Sequence, residues 1–235
     1  MNSKILTLSK DKINNVKKKL AEIIDYSYAN HIKEIDEEYI NDFVINDKEY
    51  IEKHQNLFII SNKEDKLLDL EINLEKLSGL DNDLDFQIKF ENYIIRFSNS
   101  LPKNKIKIKQ NLYFSNCRFK LTQFENICFN NLEINECKYE DVFAIVFNTC
   151  EFKKLNLLFN TFLQDVKFEN TKIEYLNLKV NRFERYLFIK NCTIENISLW
   201  KNEFKNICYF IDSFFGNKEK STLNFSNAHF EDNAY

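Results

Sequence analysis

The stretch LNLLFNTF, at residues 155–162, returns as LNLKVNRF at residues 176–183, which is 21 residues further along the chain. Segments of the same form have a leucine or isoleucine, an apolar residue two positions later and an aromatic residue five positions after that. They begin at Leu112, Leu132, Leu155, Leu176, Ile197 and Leu223. A repeat of this length predicts a solenoid, in which each repeat is one turn that stacks on its neighbours.

A finer period of five residues runs inside this repeat. From Phe114 onward a large residue falls at every fifth position, at Phe119, Phe124, Phe129, Ile134 and Tyr139. A second set of mostly small or aliphatic residues precedes each of these by two positions, at Leu112, Cys117, Thr122, Ile127, Leu132 and Cys137. In the family of repeat proteins that this pattern resembles, both sets face the interior of the solenoid.

This pattern resembles the pentapeptide-repeat family over residues 112–235, although Phe replaces Leu at most centres of the A-[DN]-L-x-x pattern. The resemblance implies a right-handed quadrilateral β-helix, in which each turn has four faces of five residues. We therefore predict a mainly β fold with about six coils at residues 106–235. A small α/β capping region is predicted at residues 1–105, because a solenoid needs its end covered.

The register assigns one column of large apolar residues to each of the four faces. The second face, for example, carries Phe119, Tyr139, Phe162, Phe183, Phe204 and Phe230. Extra residues recur at one corner, between the second and third faces, where a bulge can turn the chain without moving the core. Asn160, Asn181 and Asn202 form an inward column, which predicts a structural ladder of bonded amides. Five of the six cysteines also face inward as small core residues, and Cys128 faces outward.

The N-terminal region has different periods. Ile13, Val16, Leu20, Ile23 and Ile24 share one face of a predicted amphipathic helix whose opposite face carries lysines. A second helical segment is predicted from Ile32, Ile35, Tyr39 and Phe43. Strand-like patterns follow in LDLEINL and in LDFQIKF at residues 84–90.

Composition and motifs argue against several classes of function. The chain carries a net charge of −3 and has no membrane-length apolar run or secretion signal, which predicts a cytoplasmic protein without a membrane span. The six cysteines and three histidines lack zinc-binding spacing, and no nucleophile or phosphate-loop motif occurs. We therefore predict no catalytic residues, no metal and no cofactor, and we expect no nucleic-acid partner.

The prediction for function is a non-catalytic protein-interaction or scaffold module of a bacterial pentapeptide-repeat protein. Its contact surface is predicted from outward apolar residues, which usually mark a contact. These are Leu158, Phe159, Val180 and Trp200 on the first face, with Phe188, Tyr209 and Ile211 on the third. The alternative to a contact surface is that the N-terminal region or a packing neighbour covers this strip.

Two other functions stay open. The family resemblance implies mimicry of duplex DNA and modulation of DNA gyrase, but residues 106–235 carry 17 Lys and Arg against 16 Asp and Glu. This near-neutral balance argues against an acidic mimic. A β-helix enzyme or effector with an unrecognised site is the third possibility.

The last coil keeps the five-residue period at Phe225, Phe230 and Tyr235. An uncovered coil end exposes apolar side chains and unpaired strand edges. We therefore expect a two-fold homodimer through residues 223–235, because closed symmetric dimers are the commonest assembly. The alternative is that this sequence is part of a longer protein whose next segment covers the end.

Overall fold

A computed structural model describes ten segments of the chain, at residues 10–24, 32–34, 57–62, 67–80, 87–98, 100–120, 123–139, 144–216, 223–224 and 226–231. Within these segments the fold is mainly β, with two helices and three sheets. All neighbouring strands in the sheets run parallel, except that β1 (Ile32–Glu34) pairs antiparallel with β2 (Leu57–Ser61). Neither described helix has the length and apolarity needed to cross a membrane.

The three sheets run along the solenoid, and successive turns of the chain contribute successive strands. Sheet 1 contains β1, β2, β4 (Gln87–Glu91), β6 (Ile106–Ser115), β9 (Ile127–Asn135), β12 (Glu151–Leu158), β15 (Lys172–Lys179), β18 (Thr193–Ser198), β21 (Phe214–Phe215) and β22 (Leu223–Asn224). Sheet 2 contains β3 (Leu68–Asn73), β5 (Tyr93–Ser98), β7 (Arg118–Lys120), β10 (Lys138–Tyr139), β13 (Thr161–Phe162), β16 (Arg182–Phe183), β19 (Glu203–Phe204) and β23 (His229–Phe230). Sheet 3 contains β8 (Gln123–Glu125), β11 (Ile145–Asn148), β14 (Val166–Glu169), β17 (Leu187–Lys190) and β20 (Cys208–Ile211). The result is a parallel β-solenoid, and about six of its turns follow residue 105, as the repeat predicts.

The predicted register is confirmed by the strand pairing. In sheet 2, Phe162 lies opposite both Tyr139 and Phe183, and Phe183 lies opposite Phe204. Their rings stack with centroids 4.8 Å apart for Phe162 and Phe183 and 4.9 Å apart for Phe183 and Phe204. Sheet 1 bends around one corner and carries both the fourth and the first face, because β12 presents Phe152 and then Leu157 to the core. Four faces are therefore built from three sheets.

The asparagine ladder is also confirmed. The Asn160 backbone N–H donates to Asn181 Oδ1 at 2.9 Å, and the Asn181 N–H donates in turn to Asn202 Oδ1 at 2.8 Å. The Asn181 side chain donates to the Leu157 carbonyl oxygen at 2.7 Å. The Asn160 and Asn181 amides are bonded to the turn before and the turn after, and the Asn202 amide is bonded to the turn before it, so their desolvation is offset.

The sheets begin before the boundary predicted at residues 105 and 106. Strand β4 pairs with β6 and strand β5 pairs with β7, both in parallel, so the sheets continue across that boundary. Two earlier turns, β2–β3 and β4–β5, therefore stack directly on the six predicted coils. Phe90 and Phe114, one on each side of the boundary, stack with their ring centroids 4.9 Å apart.

Helix α1 (Lys10–Ile24) confirms the first predicted helix and packs against β3 and the short helix α2 (Leu74–Ser78). Its buried residues, Val16, Leu20, Ile23 and Ile24, belong to the same hydrophobic core as the solenoid. The Ile13 side chain lies outside the described part of the chain. Asn73 caps α2, because its Oδ1 accepts a hydrogen bond from the Lys76 N–H at 2.9 Å.

The second predicted helix is wrong at its start. Ile32 lies in strand β1, where it is buried opposite Ile60 of β2. The apolar spacing of Ile32 and Ile35 fits a helix, but pairing with an available strand edge satisfies the backbone of residues 32–34 instead. Ile35, Tyr39 and Phe43 lie outside the described residues.

One buried side chain conflicts with the apolar core. Gln110 lies at a bulge where β6 shifts register against β9, and it faces inward between the buried residues Ile108 and Leu112. It is 3% exposed, and neither its Nε2 nor its Oε1 has a hydrogen-bond partner among the described residues. A buried amide without a partner destabilises a fold by about 1–3 kcal/mol.

We therefore expect Gln110→Met, which keeps the side-chain volume, to raise the free energy of unfolding by about 1–3 kcal/mol in urea titrations. The control is Gln123→Met, at an exposed position of β8, which should change stability by less than about 0.5 kcal/mol. A Gln110→Met variant less stable than the wild type would show that the amide is satisfied in solution.

Candidate interaction surface

Two corners of the solenoid are built from residues with left-handed backbone conformation. Twelve described non-glycine residues have positive φ, in two columns that follow the turns. The first column contains Asn92, Asn116, Glu136, Phe159, Val180, Lys201 and Asn227. The second contains Asn126, Thr149, Asn170, Asn191 and Asp212. Asparagine occupies six of the twelve positions, as expected for the residue that tolerates this conformation best after glycine.

Phe159 and Val180 are the two apolar residues among these twelve, and they lie on adjacent turns. Both have a φ of 56°. The Phe159 N–H donates to the Lys179 carbonyl oxygen and the Val180 N–H to the Trp200 carbonyl oxygen, each at 3.0 Å. A β-branched residue such as Val180 is a genuine outlier in this region, and such conformations cost about 1–3 kcal/mol.

These residues form part of an apolar strip along one corner, at the junction of sheet 1 and sheet 2. We call Leu158, Phe159, Val180 and Trp200 the corner strip. Phe159 is 55% exposed, and the other three are half-buried. The Lys201 ammonium group lies 4.5 Å from the centre of the Trp200 ring, so a cation borders the strip at its C-terminal end.

The other three predicted surface residues lie on sheet 3, apart from the corner strip. Phe188 and Tyr209 stack with ring centroids 4.7 Å apart, and Ile211 follows in β20 with an exposed side chain. The Tyr186 ring packs against this cluster, with its centroid 5.6 Å from that of the Phe188 ring. Tyr186 is not among the residues predicted from the sequence. It lies in the corner insertion, where the five-residue period does not distinguish inward from outward residues. The stacking buries ring faces of this cluster against each other.

Of the three residues predicted to form the dimer end, the structure describes Phe230. Phe230, in β23, is half-buried and stacks on Phe204 with a centroid distance of 4.7 Å. Phe225 and Tyr235 lie outside the described residues. Pairing of two copies through residues 223–235 therefore stays a prediction.

A groove runs along the outer surface of the fourth face, on sheet 1. Its volume is about 640 Å³, and it reaches from Lys107 in β6 to Glu195 in β18. The Cys128 thiol lies in its floor and donates to Glu151 Oε2 at 3.4 Å, while Glu151 Oε1 accepts from Lys105 Nζ at 2.6 Å. The sequence predicts that Cys128 faces outward. It does not indicate the groove, because the residues that line the groove come from five separate turns.

The electrostatics of this group keep the Cys128 thiol protonated. Burial and the neighbouring Glu151 carboxylate raise the pKa of the thiol above its ordinary value. The Lys105 ammonium group lowers the pKa of Glu151 by its hydrogen bond, so that carboxylate stays ionised. Since the thiolate is the reactive form of cysteine, Cys128 lacks the environment of an activated nucleophile. No group of three His, Cys, Asp or Glu residues in the described segments could hold a metal ion.

Comparison with known proteins adds no relative. No family model, no curated protein sequence and no solved structure matches the chain. The solenoid is consistent with the resemblance to pentapeptide-repeat proteins but is not diagnostic of that family. Arguments about function therefore rest on the surfaces of this molecule.

Proposed function

We propose that this protein is a non-catalytic interaction module that binds a protein partner through the corner strip. The observation that carries the proposal is the pair of apolar residues, Phe159 and Val180, held in left-handed backbone conformation on adjacent turns. Asparagine fits the same backbone and occupies three of the other five positions in the same column, so the fold does not require apolar side chains there. Backbone strain that the fold does not require is often found at functional sites.

The interior of the solenoid supports a binding role because it holds the strip rigidly. Asn160 and Asn181, which directly follow Phe159 and Val180, are fixed by the asparagine ladder on the inside of the same corner. The contact side chains are therefore positioned before any partner arrives. Preorganisation of this kind reduces the entropy lost on binding.

The chemistry of the strip predicts the chemistry of the partner. Phe159 and Trp200 are large aromatic anchors of the type that carries most of the binding energy in protein interfaces. Lys179, which forms no ion pair with a described residue, and Lys201 border these anchors. We therefore propose a partner surface with an apolar pocket and an acidic rim, since charge complementarity guides such associations.

The charged face of sheet 2 weighs against the alternative of DNA mimicry. Arg182 pairs there with Glu203, and Lys205 pairs with both Glu203 and Glu231. Asp69 pairs with Lys120 on an earlier turn of the same face. Charges of both signs thus alternate along the solenoid, whereas a mimic of duplex DNA needs an acidic surface.

The test replaces both strained apolar residues with the residue that the corner prefers. We expect the Phe159→Asn, Val180→Asn double variant to lose affinity for the partner by about thirtyfold or more, the loss expected for hot-spot side chains. The matched control is Thr149→Asn, at a left-handed position in the other corner column, which should bind like the wild type.

The partner is first captured from a lysate of the source cell and then purified, and its affinity is measured by isothermal titration calorimetry. A protein counts as the partner only when it binds the purified wild type and the Thr149→Asn control in a defined ratio. Equal affinity for the wild type and the double variant would contradict the assignment of the corner strip as the contact surface.

A further inference from the structure

The groove of the fourth face carries a set of lysines that form no ion pair within the described segments. Lys107, Lys109, Lys153 and Lys172 line it, and none of them forms an ion pair with a carboxylate of the described residues. The charged face of sheet 2 behaves differently, because Arg182 and Lys205 both pair with glutamates there. Clefts with an excess of one charge concentrate ions of the opposite sign.

Strand pairing shows how these lysines are arranged around a small, neutral floor. Lys107 and Glu151 lie on the turns before and after Cys128 in the same row. Lys109 and Lys153 lie on the strands before and after Asn130, close to the bulge where β6 shifts register against β9. Adjacent turns are about 4.8 Å apart, so long lysine side chains from both sides can converge over the floor.

One carboxylate, Glu151, borders this position, and the other two carboxylates of the groove lie further away. Glu151 is already bonded by the Lys105 ammonium group and the Cys128 thiol. Glu174 and Glu195 lie on later turns, towards the C-terminal end of the groove. A long polymer of uniform negative charge would meet both of these carboxylates, whereas a small ligand over Cys128 and Asn130 would not.

We propose that this groove binds a small polyanion, a metabolite-sized molecule with several phosphate or carboxylate groups, over Cys128 and Asn130. Lys107, Lys109 and Lys153 bind its anionic groups. The groove volume of about 640 Å³ lies within the range of small-molecule sites. Anion binding in this groove is independent of the corner strip, which lies at the junction of sheet 1 and sheet 2.

The experiment titrates the full chain at low ionic strength with two probes, inorganic tripolyphosphate and citrate, by isothermal titration calorimetry. The Lys109→Gln, Lys153→Gln variant should lose about a hundredfold in affinity, on the basis of about tenfold for each charge-assisted contact. The matched control is Lys138→Gln, Lys190→Gln, which removes two exposed lysines from sheets 2 and 3 and should lose less than about threefold.

A second readout locates the bound probe. Cys128 is the one partly accessible cysteine of the six, since the other five are buried. A saturating probe should therefore slow the alkylation of Cys128 by iodoacetamide, measured by mass spectrometry of the intact and digested protein. Binding of tripolyphosphate alone assigns a phosphate ligand, and binding of citrate alone assigns a carboxylate ligand.

Three results would overturn the proposal. The first is the absence of binding for both probes at low ionic strength. The second is an equal loss of affinity in the groove variant and in the control, which would indicate nonspecific attraction to exposed lysines. The third is unchanged alkylation of Cys128 at saturating probe, which would place the bound anion outside the groove.

Discussion

Replacing Phe183 with alanine is expected to lower the free energy of unfolding by about 3–5 kcal/mol. Phe183 is 1% exposed, and its ring lies between those of Phe162 and Phe204 in the aromatic column of sheet 2. The alanine variant loses the transfer free energy of the ring and leaves a cavity between two fixed turns. The rings on either side cannot close this cavity, because strand pairing holds the turns at their spacing.

Urea unfolding followed by circular dichroism measures this effect. Tyr175→Ala is the control, because Tyr175 lies in the same turn as Phe183 but its side chain is 52% exposed. This control substitution should lower the free energy of unfolding by less than about 0.5 kcal/mol. An unfolding midpoint for Phe183→Ala equal to that of the wild type would contradict the register of the solenoid.

The asparagine ladder predicts a second large effect, for Asn181→Leu. Leucine has a similar volume but leaves the Asn160 N–H and the Leu157 carbonyl oxygen without their Asn181 partner. It also removes the side-chain bonds of Asn181 to the Asn160 Nδ2 and to the Asn202 Oδ1, which keeps its bond from the Asn181 backbone N–H. Each buried group without a partner costs about 1–3 kcal/mol, so we expect a total loss of about 3 kcal/mol or more.

Asn177→Leu provides the matched control in the same turn. Asn177 is half-buried on the outer side of β15, and its Oδ1 has no hydrogen-bond partner within the described residues. The same substitution should therefore cost less than about 1 kcal/mol there. Equal losses in chemical denaturation for the two leucine variants would show that the inward amides contribute nothing beyond their volume.

The sequence predicts the solenoid well because its period reflects a local rule. Side chains in a strand alternate between the two sides of the sheet, so Phe183 and Leu178 can be assigned to the interior from spacing alone. The ladder of Asn160, Asn181 and Asn202 follows from the same rule. The N-terminal turns are missing from the prediction because the segment after β2 breaks the five-residue period, and the segment around β4 has Ile95 where the other repeats have an aromatic residue.

The surface features depend on facts that a period does not contain. Spacing places Phe159 and Val180 at a corner, but the left-handed conformation that makes them unusual appears only in the backbone. In the groove, Lys109, Asn130 and Lys153 are separated by about 20 residues each, and only the strand register brings them together. In the sequence, Lys109 and Lys153 have the spacing of ordinary solvated lysines on separate turns.

If Phe159 and Val180 serve binding and not folding, the double asparagine variant must be at least as stable as the wild type. We expect the free energy of unfolding of Phe159→Asn, Val180→Asn to rise by about 1 kcal/mol for each site, because asparagine relieves the backbone strain. The same double variant should bind the partner protein at least about thirtyfold more weakly than the wild type does. A loss of more than about 2 kcal/mol of stability would show instead that these two side chains are packing elements of the fold, and would contradict their assignment to binding.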